Sequence, residues 1–330
     1  MYRQTRDDVA KLAGVSTATV SRVINQNGAP VSEELRNRVL AVADQLGYRP
    51  NLAARALVTG KTRLVAMWAS DCYTPYYSML GKQMALRWEQ RHYQVIASSR
   101  RHFSNASDLI VPTTAWQVDG LLLLDTASLD PSVLSLYKPG IPRVSVGVFH
   151  DDTRDLVEVD LYIGARQALT HLMSPGCRRI AYMHNEESST GRDPRTRAYR
   201  DLLSEAGLEG IHITIPNQER QTARTAIKDH VREHGLPEAI FCVNDDVALG
   251  CYRGLLDLGV RIPDDVALVG CDGLPELEYL ETPISTLVSP VEALCEYGWK
   301  FLERRIEEPD TPVQQITLPT QLVIRESSRR

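Results

Sequence analysis

No run of apolar residues in this 330-residue chain approaches the length of a membrane span, and its first residues are polar. Neither a membrane anchor nor a secretory leader is expected, and the cytoplasm is the expected compartment. Six cysteines stand at positions 72, 177, 242, 251, 271 and 295 with no C-x-x-C spacing. That argues against zinc and redox motifs and suits buried, reduced thiols. Neither a G-x-G-x-x-G nor a Walker pattern occurs, so nothing supports a nucleotide cofactor, and no cofactor is expected. What is present, 43% hydrophobic and 24% charged residues, describes a soluble globular chain long enough for two or three domains.

The formal net charge of −5 hides an uneven distribution. Residues 1–63 carry 10 Lys+Arg against 5 Asp+Glu, whereas the remaining 267 carry 27 against 37. A small basic head on a large acidic body is the charge layout of a DNA-binding domain attached to something else.

The head contains the most informative stretch, TRDDVAKLAGVSTATVSRVIN over residues 5–25. Thr5 with Asp8 three residues on makes a capping-box-like helix start, and Val9, Ala10 and Leu12–Ala13 give that helix its apolar side. Gly14 suits a tight inter-helix turn. Ser16 is a good N-cap for a second helix with Val20, Val23 and Ile24 turned inward. Its opposite face collects Thr17, Ala18, Ser21, Arg22 and Asn25. Small, hydroxylic, Arg and Asn side chains are what a major groove accepts, since Arg pairs with guanine and methyl groups meet thymine. A third helix, SEELRNRVLAVADQLGY, carries the core stripe Leu35, Val39, Val42, Ala43 and Leu46, and Gly47 and Pro50 end it.

The next segment, Asn51–Leu57, is too short to be stably helical alone in water. Ala54, Arg55 and Leu57 supply a small residue for close approach, a cation for phosphate and an apolar wedge for a minor-groove base step. From Leu64 the chain alternates between apolar runs (LVAMWA, YQVIAS, GLLLLD, IPRVSV, RRIAYM, IHITI, AIFCVN, DVALVGCD) and helix-length segments near 78–91, 162–174, 195–206, 222–234 and 246–258. Repeated β–α alternation predicts an α/β body of doubly wound parallel sheets, long enough for two lobes.

Collinear motifs carry a resemblance to the LacI/GalR family of bacterial transcriptional regulators. They are DVAKLAGVSTATVSRVIN, LGYRPNLAARAL, QVDGLLLL, VDLYIGARQALTHLMSPGCRRIAYM, RTRAYRDLLSEAGL, VNDDVALGCYRGLLDLGVRIPDDVALVGCD and TPISTLVSPVEAL. The resemblance implies a helix-turn-helix head over 1–49, a hinge helix and linker over 50–61, and an effector-binding body over 62–330. That body resembles periplasmic sugar-binding proteins, with an N-lobe of about 62–160 and 290–319 and a C-lobe of about 161–289 and 320–330. It implies a homodimer on a near-palindromic double-stranded operator. Thr17, Ala18 and Arg22 then fall on base-reading positions, and Ser16, Thr19, Ser21 and Asn25 serve phosphates and register. Leu57 falls on the intercalating leucine, Ala54 on the small residue that lets paired hinge helices close. The tail, ESSRR, has no leucine heptads, so the tetramerising helix of some relatives is not expected.

In open α/β sheets ligands sit beyond the carboxyl ends of strands. Asp71, Asn244–Asp245 and Asp272 end strands here and suit a hydroxyl-rich ligand such as a sugar, although Asp245 and Asp246 also stand where they could simply open a helix. The resemblance favours a ligand role for Asn244, Asp245 and Asp272, matches Arg195 to an arginine that grips ligand hydroxyls or carboxylates, and matches Tyr76 and Tyr77 to an apolar or aromatic pair. Departures from the family pattern bear on the effector: Gly147 replaces a common aspartate, Gln218 lies where an aromatic often stacks, Cys271 and Gly273 replace the usual Phe and Asp around Asp272, Ala198 replaces the motif glycine, and Leu161 takes the place of a common Asn. A sugar or sugar derivative is the expected effector, with a nucleoside, a sugar acid or a partner protein as alternatives, and a transporter's solute-binding protein as a further rival. His230–Val–Arg–Glu233–His234 fits a zinc-peptidase pattern, but Gly235 and Pro237 end that helix at once, which favours a solvated face.

Overall fold

Thr5 and Asp8 close a reciprocal cap. The Thr5 amide donates to Asp8 Oδ2 at 2.9 Å and the Asp8 amide to Thr5 Oγ1 at 3.3 Å, which starts α1, Arg6–Ala13. Gly14 ends it in the left-handed region (φ 63°), where a Cβ would be strained. Helix α2, Thr17–Asn25, and α3, Glu33–Gln45, complete the head. Val9, Ala10, Ala13, Val20, Val23, Val39 and Ala43 form its core. The expected apolar side of α1 is narrower than the sequence suggested, because Leu12 is 53% exposed. The computed structural model describes residues 4–25, 30–49, 56, 60–69, 74–99, 117–125, 140–148, 153–189 and 192–330. Ala54, Arg55, Leu57 and Asp71 lie outside these. Residues 1–63 and 64–330 form two compact units.

The second unit holds two six-stranded sheets. The first has β1 (Leu64–Ala69), β2 (Gln94–Ser99), β3 (Gly120–Leu124), β4 (Arg143–Gly147), β5 (Leu156–Asp160) and a late strand, Gln315–Pro319. All its pairings are parallel. Helix α4, Pro75–Glu89, links β1 to β2, and α5, Leu161–Met173, follows β5. The second sheet comprises β6 (Ile180–Asn185), β7 (Ile211–Ile215), β8 (Ala239–Cys242), β9 (Ala267–Asp272), β10 (Ser285–Val288) and Gln321–Val323. Its helices are α6 (Pro194–Glu205), α7 (Arg220–His234) and α8 (Asp245–Asp257). Helix α9, Val291–Glu307, returns to the first sheet; β11 is Gln315–Pro319 and β12 is Gln321–Val323. The expected all-parallel order fails at one edge, where β12 runs antiparallel to β10. One residue, Thr320, separates β11 from β12, so the chain changes sheets there without room for a crossover helix.

The chain thus passes between sheets after Asp160, at Ser289–Pro290 and at Thr320. At the other end of β5 and β11, a buried ion pair fixes where α9 hands the chain to β11. Arg305 on α9 makes a two-pronged contact with Asp155 at 2.8 Å for both bonds, and its remaining donors reach the carbonyls of Pro309, Thr311 and Pro312. The Gln314 amide also donates to Asp155, which sets the register of β11 beside β5. Because the Asp155 side chain is only 2% exposed, Arg305→Met strands a buried carboxylate. The expected loss is about 3–5 kcal/mol in urea unfolding of the full chain; a loss under about 1 kcal/mol, the scale of surface pairs, would refute this anchoring role.

Candidate DNA-reading face and effector cleft

Helix α2 turns Val20 and Val23 into the head and leaves Ala18 exposed, with Thr17, Thr19, Ser21 and Arg22 partly exposed beside it. Ser16 caps the helix: its Oγ accepts the Thr19 amide at 3.1 Å and lies 2.9 Å from Thr19 Oγ1. Ser16 and Thr19 are therefore held by each other, whereas Arg22 has no ion-pair partner among the described residues. Asn25 closes α2, and nothing is described of its side chain. A helix face with an unpaired guanidinium, small side chains and no acid suits the edge of a base pair.

In the body, strands of both sheets end in polar residues. Tyr76 and Tyr77 start α4 with rings 5.3 Å apart and nearly edge to face. The Tyr77 hydroxyl donates to Asp125 Oδ2 at 2.6 Å, just beyond β3, and the Val148 amide donates to Asp125 Oδ1 at 2.8 Å. Burial pushes the Asp125 carboxyl upward, while these two donors and the Arg195 charge oppose the shift. Burial and the charges of Asp125 and Asp272 raise the Tyr76 hydroxyl, so Tyr76 senses acids from both sheets.

Gly147, at the end of β4, explains itself against Asp125. A Cβ at position 147 would overlap Asp125 Oδ1, lie 2.9 Å from Cγ and 3.1 Å from the Asp125 Cα. The space that a side chain at 147 would enter is filled by the carboxylate of a neighbouring strand. Asp125 was not among the residues singled out from sequence, although it ends the run GLLLLD as Asp272 ends DVALVGCD.

Across the cleft, Arg195 in the first turn of α6 is held by Asp193. Its Nε and Nη2 donate to the two Asp193 oxygens at 3.0 and 2.7 Å, and Nη1 donates to the Val243 carbonyl at 2.6 Å. Asp193 also caps the helix through the Arg195 amide at 2.8 Å. Burial works against ionised Asp193, but the guanidinium outweighs it and holds the carboxyl below its ordinary value. Beside this pair runs an amide ladder. Asn244 Nδ2 donates to Gln218 Oε1 at 2.7 Å, and Gln218 Nε2 to Asn185 Oδ1 at 2.9 Å, which also accepts from Ser188 Oγ. Asn244 Oδ1 meanwhile caps α8 by accepting the Val247 amide. Gln218, where an aromatic was the family expectation, thus bridges two strand ends. Asn185 was missed because the sequence placed the end of β6 at Met183.

Asp245 and Asp272 separate sharply. Asp245 is fully buried. One oxygen accepts the amides of Gly273 and Leu274 at 2.8 and 2.7 Å, the other the Thr286 hydroxyl at 2.7 Å. It fixes the turn after β9 from beneath and presents no free oxygen to a cleft. Asp272 is partly exposed, stands at φ 128°, and its carboxylate has no hydrogen-bond donor among the described residues. Burial raises its carboxyl well above the usual range, the Asp245 charge adds to this, and Arg195 opposes it. On α7, the His230 and His234 rings lie 5.1 Å apart at its C-terminal end, and no group of three or more metal-ligating side chains occurs among the described residues.

The Gly147–Asp125 fit is testable by a double-mutant cycle. Gly147→Asp displaces the Asp125 carboxylate from its two donors, at a cost of about 1–3 kcal/mol in unfolding free energy. In an Asp125→Gly background the same substitution is expected to cost less than about 0.5 kcal/mol, because its obstacle is gone. Equal costs in both backgrounds would show that the two positions do not compete for space.

Comparison with known proteins accords with these two units. Residues 5–51 match the family model of bacterial regulatory proteins of the lacI family, and residues 169–328 match the periplasmic binding protein-like domain. The ribose operon repressor of Escherichia coli K12 is 30% identical, covering 98% of this chain and 99% of that protein. Among solved structures, a complex of the transcriptional regulator CelR with cellobiose is 29% identical, with a TM-score of 0.71 over 98% of this chain and all of that one. The lac repressor dimer bound to operator and the anti-inducer ONPF shares the fold at a TM-score of 0.83, 24% identity and 99% coverage of each chain. The near full-length match at 30% identity, with a capped helix-turn-helix head and a body of two sheets, means that the chain belongs to the LacI family of bacterial regulatory proteins.

Proposed function

We propose that this chain represses a carbohydrate-utilisation operon, binding a near-palindromic operator as a homodimer and releasing or tightening it according to a sugar-like effector in the cleft of the body. The observation that carries the DNA half is α2, whose buried side completes the head core while Thr17, Ala18 and Arg22 remain available outward. Thr17, Ala18 and Arg22 read bases; Ser16, Thr19, Ser21 and Asn25 set register on phosphates. Residues 1–49 act as the head and 50–61 as the hinge, where Ala54, Arg55 and Leu57 enter the minor groove. In residues 62–330 the effector meets Tyr76, Tyr77, Arg195, Gln218, Asn244 and Asp272, with Asp71 beside them. Asp125 supplies the carboxylate that Gly147 cannot, and Asp245 acts by positioning Asp272. In this reading the chain is a cytoplasmic regulator and performs no catalysis.

Mechanistically the effector favours one arrangement of the lobes, and that arrangement changes how the two hinge helices of the dimer pack. Sugar repressors among the relatives, such as the ribose operon repressor, make a sugar the natural first ligand to test. Capture of sheared genomic DNA on the purified protein is expected to enrich a few near-palindromic sites; uniform, salt-sensitive retention with and without metabolite extract would overturn the reading. On an enriched site, Arg22→Ala is expected to cost about 1–3 kcal/mol per half-site and to relax sequence preference. Equal weakening on specific and random DNA would remove Arg22 from base reading.

A further inference from the structure

The cleft is unusual in how its charges are paired. Among the described residues, three carboxylates approach it: Asp125 just beyond β3 of the first sheet, Asp272 at the end of β9 of the second, and Asp193 at the start of α6. Arg195 is a cation whose charge acts on both Asp125 and Asp272. Its charge is already paired: two of its five N–H donors lie on the Asp193 carboxylate and a third on the Val243 carbonyl. The Arg195 side chain is 12% exposed and that of Asp193 5%, so solvent does little to screen the pair. A bidentate arginine–carboxylate contact satisfies the same geometry by which arginine would grip an acidic ligand.

From this pairing we infer that the effector cleft selects ligands of zero or positive charge, rich in hydroxyl or ammonium donors, and rejects sugar acids and sugar phosphates. The inference rests on the sugar-effector reading above and narrows it. Among the described residues, an anionic ligand must either displace Asp193 from Arg195, stranding a buried carboxylate, or share with Asp193 a guanidinium whose charge is already balanced, beside Asp125 and Asp272, which then repel it or must take up protons. Rejection by an unpaired like charge is a standard route to specificity. Donors on the ligand meet the opposite situation. The Asp272 carboxylate has no protein donor among the described residues, and the amide ladder holds Gln218 between Asn185 and Asn244 without adding charge. Hydroxyls satisfy this set, and an ammonium group also offsets its charge.

The test uses the full chain and matched sugars differing only in charge: glucose, glucosamine and glucuronate; galactose, galactosamine and galacturonate; ribose and ribose 5-phosphate; with cellobiose added. Affinities come from calorimetry, and folding of each variant from circular dichroism. Every member that binds is expected to be neutral or cationic, with its acidic or phosphorylated counterpart weaker by about 100-fold. Asp193→Asn keeps a helix-capping side chain and releases the arginine. It is expected to lower the acid-to-neutral Kd ratio by about tenfold, and Asp193→Asn with Arg195→Gln restores the ratio. A general structural defect weakens both ligands together and leaves the ratio unchanged. An acidic sugar binding the wild-type chain as tightly as its neutral counterpart overturns the charge rule, as does an unchanged ratio in folded Asp193→Asn. If no member binds at any charge, the sugar-effector reading itself falls and takes this inference with it.

Discussion

Two of the three chain passages between the sheets lie against each other, and a single hydroxyl ties them. Thr320 Oγ1 donates to the Asp160 carbonyl at 3.1 Å, so the last residue of β5 and the residue joining β11 to β12 are fastened side by side. The contact is close enough to dictate sequence nearby: a Cβ at Gly164, in the first turn of α5, would overlap the same Thr320 hydroxyl and lie 3.5 Å from Leu287. A glycine there is a packing requirement for two strands that change sheets together. The final segment is bound as firmly, with Ser327 Oγ donating to the Leu268 carbonyl, Ser285 Oγ meeting Ser328 Oγ at 2.7 Å, and His171 reaching Ser328. Each lobe is therefore closed by chain that arrives from the other, and neither sheet is completed by contiguous sequence.

This connectivity explains why the polar residues gather where they do. In parallel sheets the carboxyl ends of the strands share one edge, and the loops that leave that edge carry the groups not needed for packing. Here the strands themselves are aliphatic and buried, as in Leu121–Leu124 and Val266–Val269, and polarity begins at Asp125, Asn185, Asn244 and Asp272. Several of these groups also hold the scaffold. Asn244 caps α8, Asp193 caps α6, and Asp245 spends one oxygen on the turn that follows Asp272 and the other on the Thr286 hydroxyl of β10. A ligand-facing geometry is thus set by hydrogen bonds that the fold requires anyway.

Much of this was legible in the residues. The capping pair Thr5–Asp8, the turn glycine and the inward valines of the head follow from local rules that act within a few residues. The long aliphatic strands were equally plain. Strands β5, β10, β11 and β12 were not, because LVEVD and STLV are short and partly polar, and β11 and β12 owe their ends to a sheet change that no periodicity encodes. Helix α9 was not legible either, although at 17 residues it is the longest among the described residues of the body. In the cleft, a strand-end carboxylate could be recognised as such, yet its duty could not. Asp245 and Asp272 look alike in sequence, and only burial separates the anchor from the exposed acceptor. Asp193 looks like a helix cap and is one; its hold on Arg195 depends on side-chain geometry beyond the reach of spacing.

A ligand can shift the balance between two arrangements only through a difference in its affinity for them. A molecule held by Arg195 and Asn244 alone would bind one lobe equally well at any opening, and operator affinity would not respond. In the proposed reading, the groups on the other side, Tyr77 and the Asp125 it supports, supply that difference, since they stand on the first sheet's side while Arg195 and Asp272 stand on the second's. In that reading, a carboxylate at 125 instead of 147 places this contact just beyond a neighbouring strand without losing it. If the effector does span both sheets, the charge it carries decides whether the span is favourable: a donor-rich neutral or cationic molecule gives Asp125 and Asp272 a common partner, whereas an anion meets like charge from both sides.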